Sequence, residues 1–204
     1  MSSSSKTTRF ISVAICGILA LGALQPAMAA KKAHVGGTVS DGAGNAAHAS
    51  ATGVSGANGT AVRGGYTTKQ SDGAVQHKSG YSAQGVNGGS AQGQNSYTRN
   101  PDGSAQSSHS GSGYNATTGG SYNSSGSYSR SSTGAVTGNS QTSASGVKGS
   151  YNGNTTSANG TTTHNTNATN ATTGNSYQGQ TTYSNGQVTH SGTCKDASGN
   201  TIQC

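Results

Sequence analysis

The 204-residue chain contains no glutamate and no tryptophan. Every leucine (Leu19, Leu21, Leu24), the one phenylalanine (Phe10) and both methionines (Met1, Met28) fall before Ala29. Beyond that point the large aliphatic residues are nine valines and Ile202, joined by nine tyrosines. So few oily side chains cannot offset the conformational entropy of about 175 ordered residues by burial alone. This excludes a globular enzyme built round a Leu/Ile/Phe core. Charge is scarce as well, at 7% of residues, and the only acids are Asp41, Asp72, Asp102 and Asp196. Without glutamate no paired general acid and base suggests itself. No G-x-S-x-G lies between a strand and a helix, and glycine runs such as Gly111-Ser112-Gly113 lack the lysine of a phosphate loop. The expectation is a protein that is not an enzyme, with no catalytic residue and no cofactor.

Proline is nearly missing too, with only Pro101 after Pro26, whereas disordered linkers are often rich in it. Two outcomes survive. The chain is largely disordered, or it folds as a repetitive sheet in which backbone bonds and small stacked side chains carry the order.

The first 29 residues read as an export signal. Lys6 and Arg9 precede an apolar run from Ile11 to Leu24, and Ala27-Met28-Ala29 forms an A-x-A cleavage site. The expected cut falls between Ala29 and Ala30, after a signal helix too short to span a bilayer. No membrane-spanning segment is expected once it is removed. A signal of bacterial type directs the chain to the periplasm, the cell surface or the medium. Two cysteines then remain, Cys194 and Cys204, bracketing the turn signal Asp196–Asn200. In an oxidising compartment they are expected to close a hairpin as a disulfide. Two cysteines alone do not complete a metal site.

What is abundant is glycine, 34 residues, set in recurring turn signals. From Gly44 the turn glycines advance in steps of 14 to 16 through Gly59, Gly73, Gly88, Gly103, Gly119 and Gly134 to Gly149; then they tighten to steps of 11 to 14 through Gly160, Gly174 and Gly186 to Gly199. Asn-Gly and Asp-Gly pairs such as Asn159-Gly160 and Asp72-Gly73 favour hairpin turns. All four acids fall in these turns. A longer period of 31 links Tyr66, Tyr97 and Tyr128. Between turns lie Thr, Ser, Tyr, Val, Gln and Asn, with no 3.6-residue apolar period. The predicted fold is all-β, a repetitive meander or β-solenoid of ~15-residue strand–turn units, ordered only in part if register slips. The predicted organisation is a signal over 1–29, a linker over 30–43, the repeat region over 44–193 and a Cys-closed hairpin over 194–204. Alternation is weak, so neither face is expected to be clearly apolar.

The six histidines are the other candidate feature. His48, His77, His164 and His190 each stand four residues after a turn glycine, a slot that Arg63 and Asn123 also fill. His109 shares their parity and His34 precedes the array. The sharper reading is a metal-binding or pH-sensitive face. The plainer one is a solvated slot that accepts any polar side chain, and the Arg and Asn favour it, so no metal ligand is assigned. After signal removal, nine dispersed cations face four acids, giving +5. With the tyrosines this suits a weak affinity for cell-envelope polysaccharide or another anionic polymer, and it is too dilute for specific nucleic-acid binding. Thr-rich stretches such as Thr161-Thr162-Thr163 are irregularly spaced and do not make a strict T-x-T array.

The Gly/Ser/Asn/Gln/Tyr composition is similar to that of exported curli-type amyloid subunits. The likeness is one of composition: the units here are nearer 15 residues than theirs, and no regular Ser, Gln and Asn ladder is legible. The leading expectation is a secreted or surface-associated bacterial repeat protein with a structural or adhesive role, capable of self-association. The alternatives are a binding module for polysaccharide, anionic polymer or metal, and a disordered exported spacer.

Overall fold

The computed structural model describes residues 30–204. The expected signal helix and Ala29 lie outside the described residues, and Ala30 begins them. The chain divides into two compact units, Met1–Gly103 and Ser104–Cys204. The described residues carry thirteen strands and no helix.

In the first unit, β1 (Lys31–Ser40), β2 (Ala46–Gly56), β3 (Gly59–Lys69), β4 (Val75–Gly85) and β5 (Ser90–Arg99) follow one another, each antiparallel to the next. This is a meander. A solenoid would instead bring strands one coil apart into parallel register. The segment predicted as a linker, 30–43, holds β1. Its period-2 order sets Lys32, His34 and Thr38 on one face and Val35 and Val39 on the other, a strand pattern that composition alone hides.

The second unit contains β6 (Ala105–Asn115), β7 (Gly120–Arg130), β8 (Val136–Gly146), β9 (Gly149–Ala158), β10 (Thr161–Asn170), β11 (Ser176–Ser184), β12 (Gln187–Lys195) and the short β13 (Thr201–Ile202). Again each strand pairs antiparallel with its sequence neighbour.

Turn chemistry fixes these registers. Asn159-Gly160 and Asn185-Gly186 both take positive φ, at 53° and 76° and at 52° and 76°. That is the two-residue turn whose twist matches the flanking strands. Five-residue turns close differently. In 70–74 the Gln70 N–H donates to the Ala74 carbonyl at 2.9 Å, and the Gly73 N–H to the Gln70 carbonyl at 3.0 Å. Turns at one end of a unit also touch. The Ser71 N–H donates to Asn45 Oδ1 at 2.9 Å, and the Ala171 N–H to the Lys148 carbonyl at 3.0 Å. In the first unit, five-residue turns at 41–45 and 70–74 occupy one end and shorter turns at 57–58 and 86–89 the other. In the second unit two-residue turns come in succession at 147–148 and 159–160, and β9–β12 are only nine or ten residues long, which together shrink the glycine spacing there.

Burial is slight. The buried apolar residues are Ala47 and Ala51, at 9% and 3% exposure, with Ser55 beside them at 4%. All three lie on one face of β2, flanked in register by Val35 and Val39 on β1 and by Gly64 and Thr68 on β3. Order elsewhere rests on the backbone ladder and on cross-strand side-chain pairs, each contributing roughly 0.2–1 kcal/mol.

Candidate functional site

Antiparallel partners point to the same face, so the registers sort every strand residue. In the second unit the sorting is nearly complete. One face carries His109, His164 and His190, together with Tyr122, Tyr128, Tyr151, Tyr177, Tyr183, the valines and every strand glycine. On the other, all residues but Tyr114, Ala158 and Lys195 are Ser, Thr, Asn or Gln. Neither face is clearly apolar, but the two differ in kind. The chemistry alternates residue by residue, but glycine dilutes one face and serine the other, so hydropathy does not register it.

Three histidines of the second unit stand in one row, His109–Gly126–Ser140–Thr155–His164–Thr181–His190. In the first unit a row runs Thr38–His48–Thr67–His77–Tyr97, and another His34–Thr52–Arg63–Tyr81–Gly93. One contact recurs. A histidine Nδ1 shares a hydrogen bond with the threonine Oγ1 directly across the strand: His34 with Thr52 at 2.9 Å, His48 with Thr38 at 2.9 Å, His77 with Thr67 at 2.8 Å, His164 with Thr155 at 2.8 Å and His190 with Thr181 at 2.9 Å. His109, the exception, faces Gly126. The sequence slot foretold four of these histidines without their partners, which lie 9 or 10 residues away. It also grouped Arg63 and Asn123. Arg63 shares the histidine face of its unit, whereas Asn123 lies on the opposite face from His109. Among the described residues no group of three His, Cys, Asp or Glu gathers to hold a metal ion.

Tyrosine and glycine form a second recurrent arrangement. A Cβ on Gly93 would meet Cε1, Cζ and Oη of Tyr81 at 2.6, 2.9 and 3.0 Å. The ring therefore lies along the sheet over the glycine, and Tyr81 stays 47% exposed. Tyr177 covers Gly179 and Gly192 in the same way, Tyr151 covers Gly153, and Tyr128 covers Gly138. Two hydroxyls are then tied sideways, Tyr128 Oη to Ser140 Oγ at 3.2 Å and Tyr177 Oη to His190 Nε2 at 3.2 Å. These glycines give the rings room.

The opposite face of the second unit is laced by hydroxyl and amide bonds. They include Ser121–Ser145 at 2.8 Å, Ser129–Thr137 at 2.8 Å and Thr161–Ser184 at 3.0 Å. Gln180 Nε2 donates to Asn165 Oδ1 at 2.9 Å, within the row Gln141–Asn154–Asn165–Gln180. Thr156, Thr163, Thr182 and Thr189 stand side by side in the neighbouring row. These ladders were not legible in the sequence, because unequal turns set the phase of each strand.

The acids serve the turns. Asp41 Oδ1 accepts from the Ala43 and Asn45 N–H groups at 2.8 and 3.1 Å, and Oδ2 from the Asn45 amide at 2.6 Å. Asp196 repeats this with Ser198 and Asn200. The asparagine amide first, and the turn N–H groups with it, hold both carboxyls below the ordinary carboxylate value. Cys194 and Cys204 are joined, with Cα atoms 5.3 Å apart, across the β12–β13 hairpin.

No protein-family model matches the chain, and no curated protein or solved structure matches it either.

Proposed function

We propose that the protein is an exported bacterial repeat protein with a structural or adhesive role, acting through extended sheet surfaces. One observation carries this reading. The functional-type side chains, His, Tyr, Thr and Arg, are spread in rows along sheet faces. Rows of repeated groups suit a repeating partner or another copy of the chain better than a single small substrate. Self-association fits the free edges, β1 and the part of β12 that β13 leaves unpaired. Every residue of β12 except Cys194, and every residue of β1 except Ala33, is exposed, and an exposed edge offers backbone groups to another strand. Export to an oxidising compartment agrees with the Cys194–Cys204 bond.

The test is assembly of the chain starting at Ala30, with its disulfide formed. Concentration-dependent growth of species that diffract with a ~4.7–4.8 Å strand repeat, or a stable coat on cell-envelope material, is the expected result. A protein that stays monomeric at millimolar concentration and coats no envelope fraction overturns the proposal.

A further inference from the structure

The cations of the first unit are not shared evenly between its faces. Lys32, Arg63, Lys69 and Arg99 project from the face that carries His34, His48 and His77, and Lys31 and Lys78 from the reverse. All four of the first group are exposed. No strand position on either face holds an acid. Asp41, Asp72 and Asp102 all lie in turns, where Asp41 and Asp72 accept hydrogen bonds from turn N–H groups.

Spacing gives this field a pattern. Lys69 and Arg99 stand in one row with Val75 between them, and His34 and Arg63 in another with Thr52 between them. Members of such a pair are about 9.6 Å apart, two strand spacings. Each arginine also has a tyrosine beside it. Arg63 is directly across from Tyr81, and Arg99 is two residues along β5 from Tyr97. Tyr81 lies over Gly93 and turns its outer ring face to solvent. A ring face beside a guanidinium matches a sugar that bears a carboxylate. The ring stacks on the C–H face of the pyranose, and the guanidinium pairs with the acid.

We infer that the histidine face of the first unit binds an acidic polysaccharide, a polymer of uronic-acid type with sugars in extended linkage. Two strand spacings are close to the length of a disaccharide in such a chain, so every second acid of a polyuronate can meet Lys69 and Arg99 in turn. The inference supplies a partner for the adhesive reading and is tested apart from it, because a monomeric protein that binds the polymer upholds this and not self-assembly.

The experiment is calorimetric titration of the disulfide-bonded chain with size-fractionated polygalacturonate, neutral cello-oligosaccharide and a single-stranded DNA of equal length. Polygalacturonate is expected to bind best, more weakly as salt rises. K32Q/R63Q/K69Q/R99Q removes four exposed contacts at roughly twofold each, about tenfold or more in total. K31Q/K78Q, on the reverse face, should cost less than about twofold. Circular dichroism of both variants checks that the sheet is kept. Equal losses from the two faces, tighter binding of the DNA, or no binding of polygalacturonate at low salt overturns the inference.

Discussion

The two units share one architecture and differ in how they divide their chemistry. In the unit of β6–β13 the faces are segregated, rings and glycines on one and hydroxyls and amides on the other. In the unit of β1–β5 the reverse face changes character across the sheet. It begins with Ala33, Val35, Val39, Ala47, Ala49 and Ala51 on β1 and β2, and ends with Gln92, Gln94, Ser96 and Thr98 on β5. The first unit therefore keeps a small buried cluster round Ala51, and the second has no comparable one among the described residues. A meander can thus be ordered with very little apolar burial, provided that its backbone is paired and its turns are specified.

Three experiments separate the units. The largest effect is expected from the disulfide. Closing so short a loop contributes about 2.5–3 kcal/mol by the chain-entropy model. The C194S/C204S double variant should lose hydrogen-exchange protection in β12 and β13, with β1–β5 unchanged. Loss of protection throughout both units would mean that they do not open independently. Next come two glycines. A Cβ on Gly138 would collide with the Ser127 carbonyl and the Tyr128 ring, whereas one on Gly37 meets nothing within 4 Å. G138A should destabilise its unit by about 1–3 kcal/mol, and G37A should be neutral or slightly stabilising, because glycine weakens a strand interior. Thermal melts of both variants measure this, and equal effects would deny the ring-over-glycine packing.

The smallest effect concerns Asp41 and Asp196, one in each unit. Their folded-state carboxyls are held below the ordinary value, chiefly by the Asn45 and Asn200 amides. Their contribution is therefore complete above the unfolded-state value and is lost as the pH falls through the lowered one. Protection of the amides in turns 41–45 and 196–200, measured against the intrinsic exchange rate at each pH, should fall below about pH 4. D41N and D196N should each remove this acid response from one turn only.

Much of the fold was legible. The turn signals mark hairpins, and Asn159-Gly160 and Asn185-Gly186 form the predicted two-residue turns. Others are displaced. At Asn58-Gly59 the turn is 57–58, and Gly59 already begins β3. The 31-residue tyrosine period misleads, because β3 and β5 align at an offset of 30. Tyr66 aligns through Lys78 with Ser96, so Tyr97 points to the other face. The odd number inverts parity, and parity decides what a face displays. The Thr–His pairs were hidden for a similar reason. A one-dimensional slot shows the histidine, and only the register between strands supplies its threonine.

The pairing of each strand only with its sequence neighbours has a consequence for growth. Nothing in the middle of either meander refers to a distant part of the chain, so inserting or deleting one up-and-down pair of strands leaves the terminal strands and the Cys194–Cys204 clasp as they were. The length of such an array is a dial that gene duplication can turn in small steps, each adding one more row-width of the same surface.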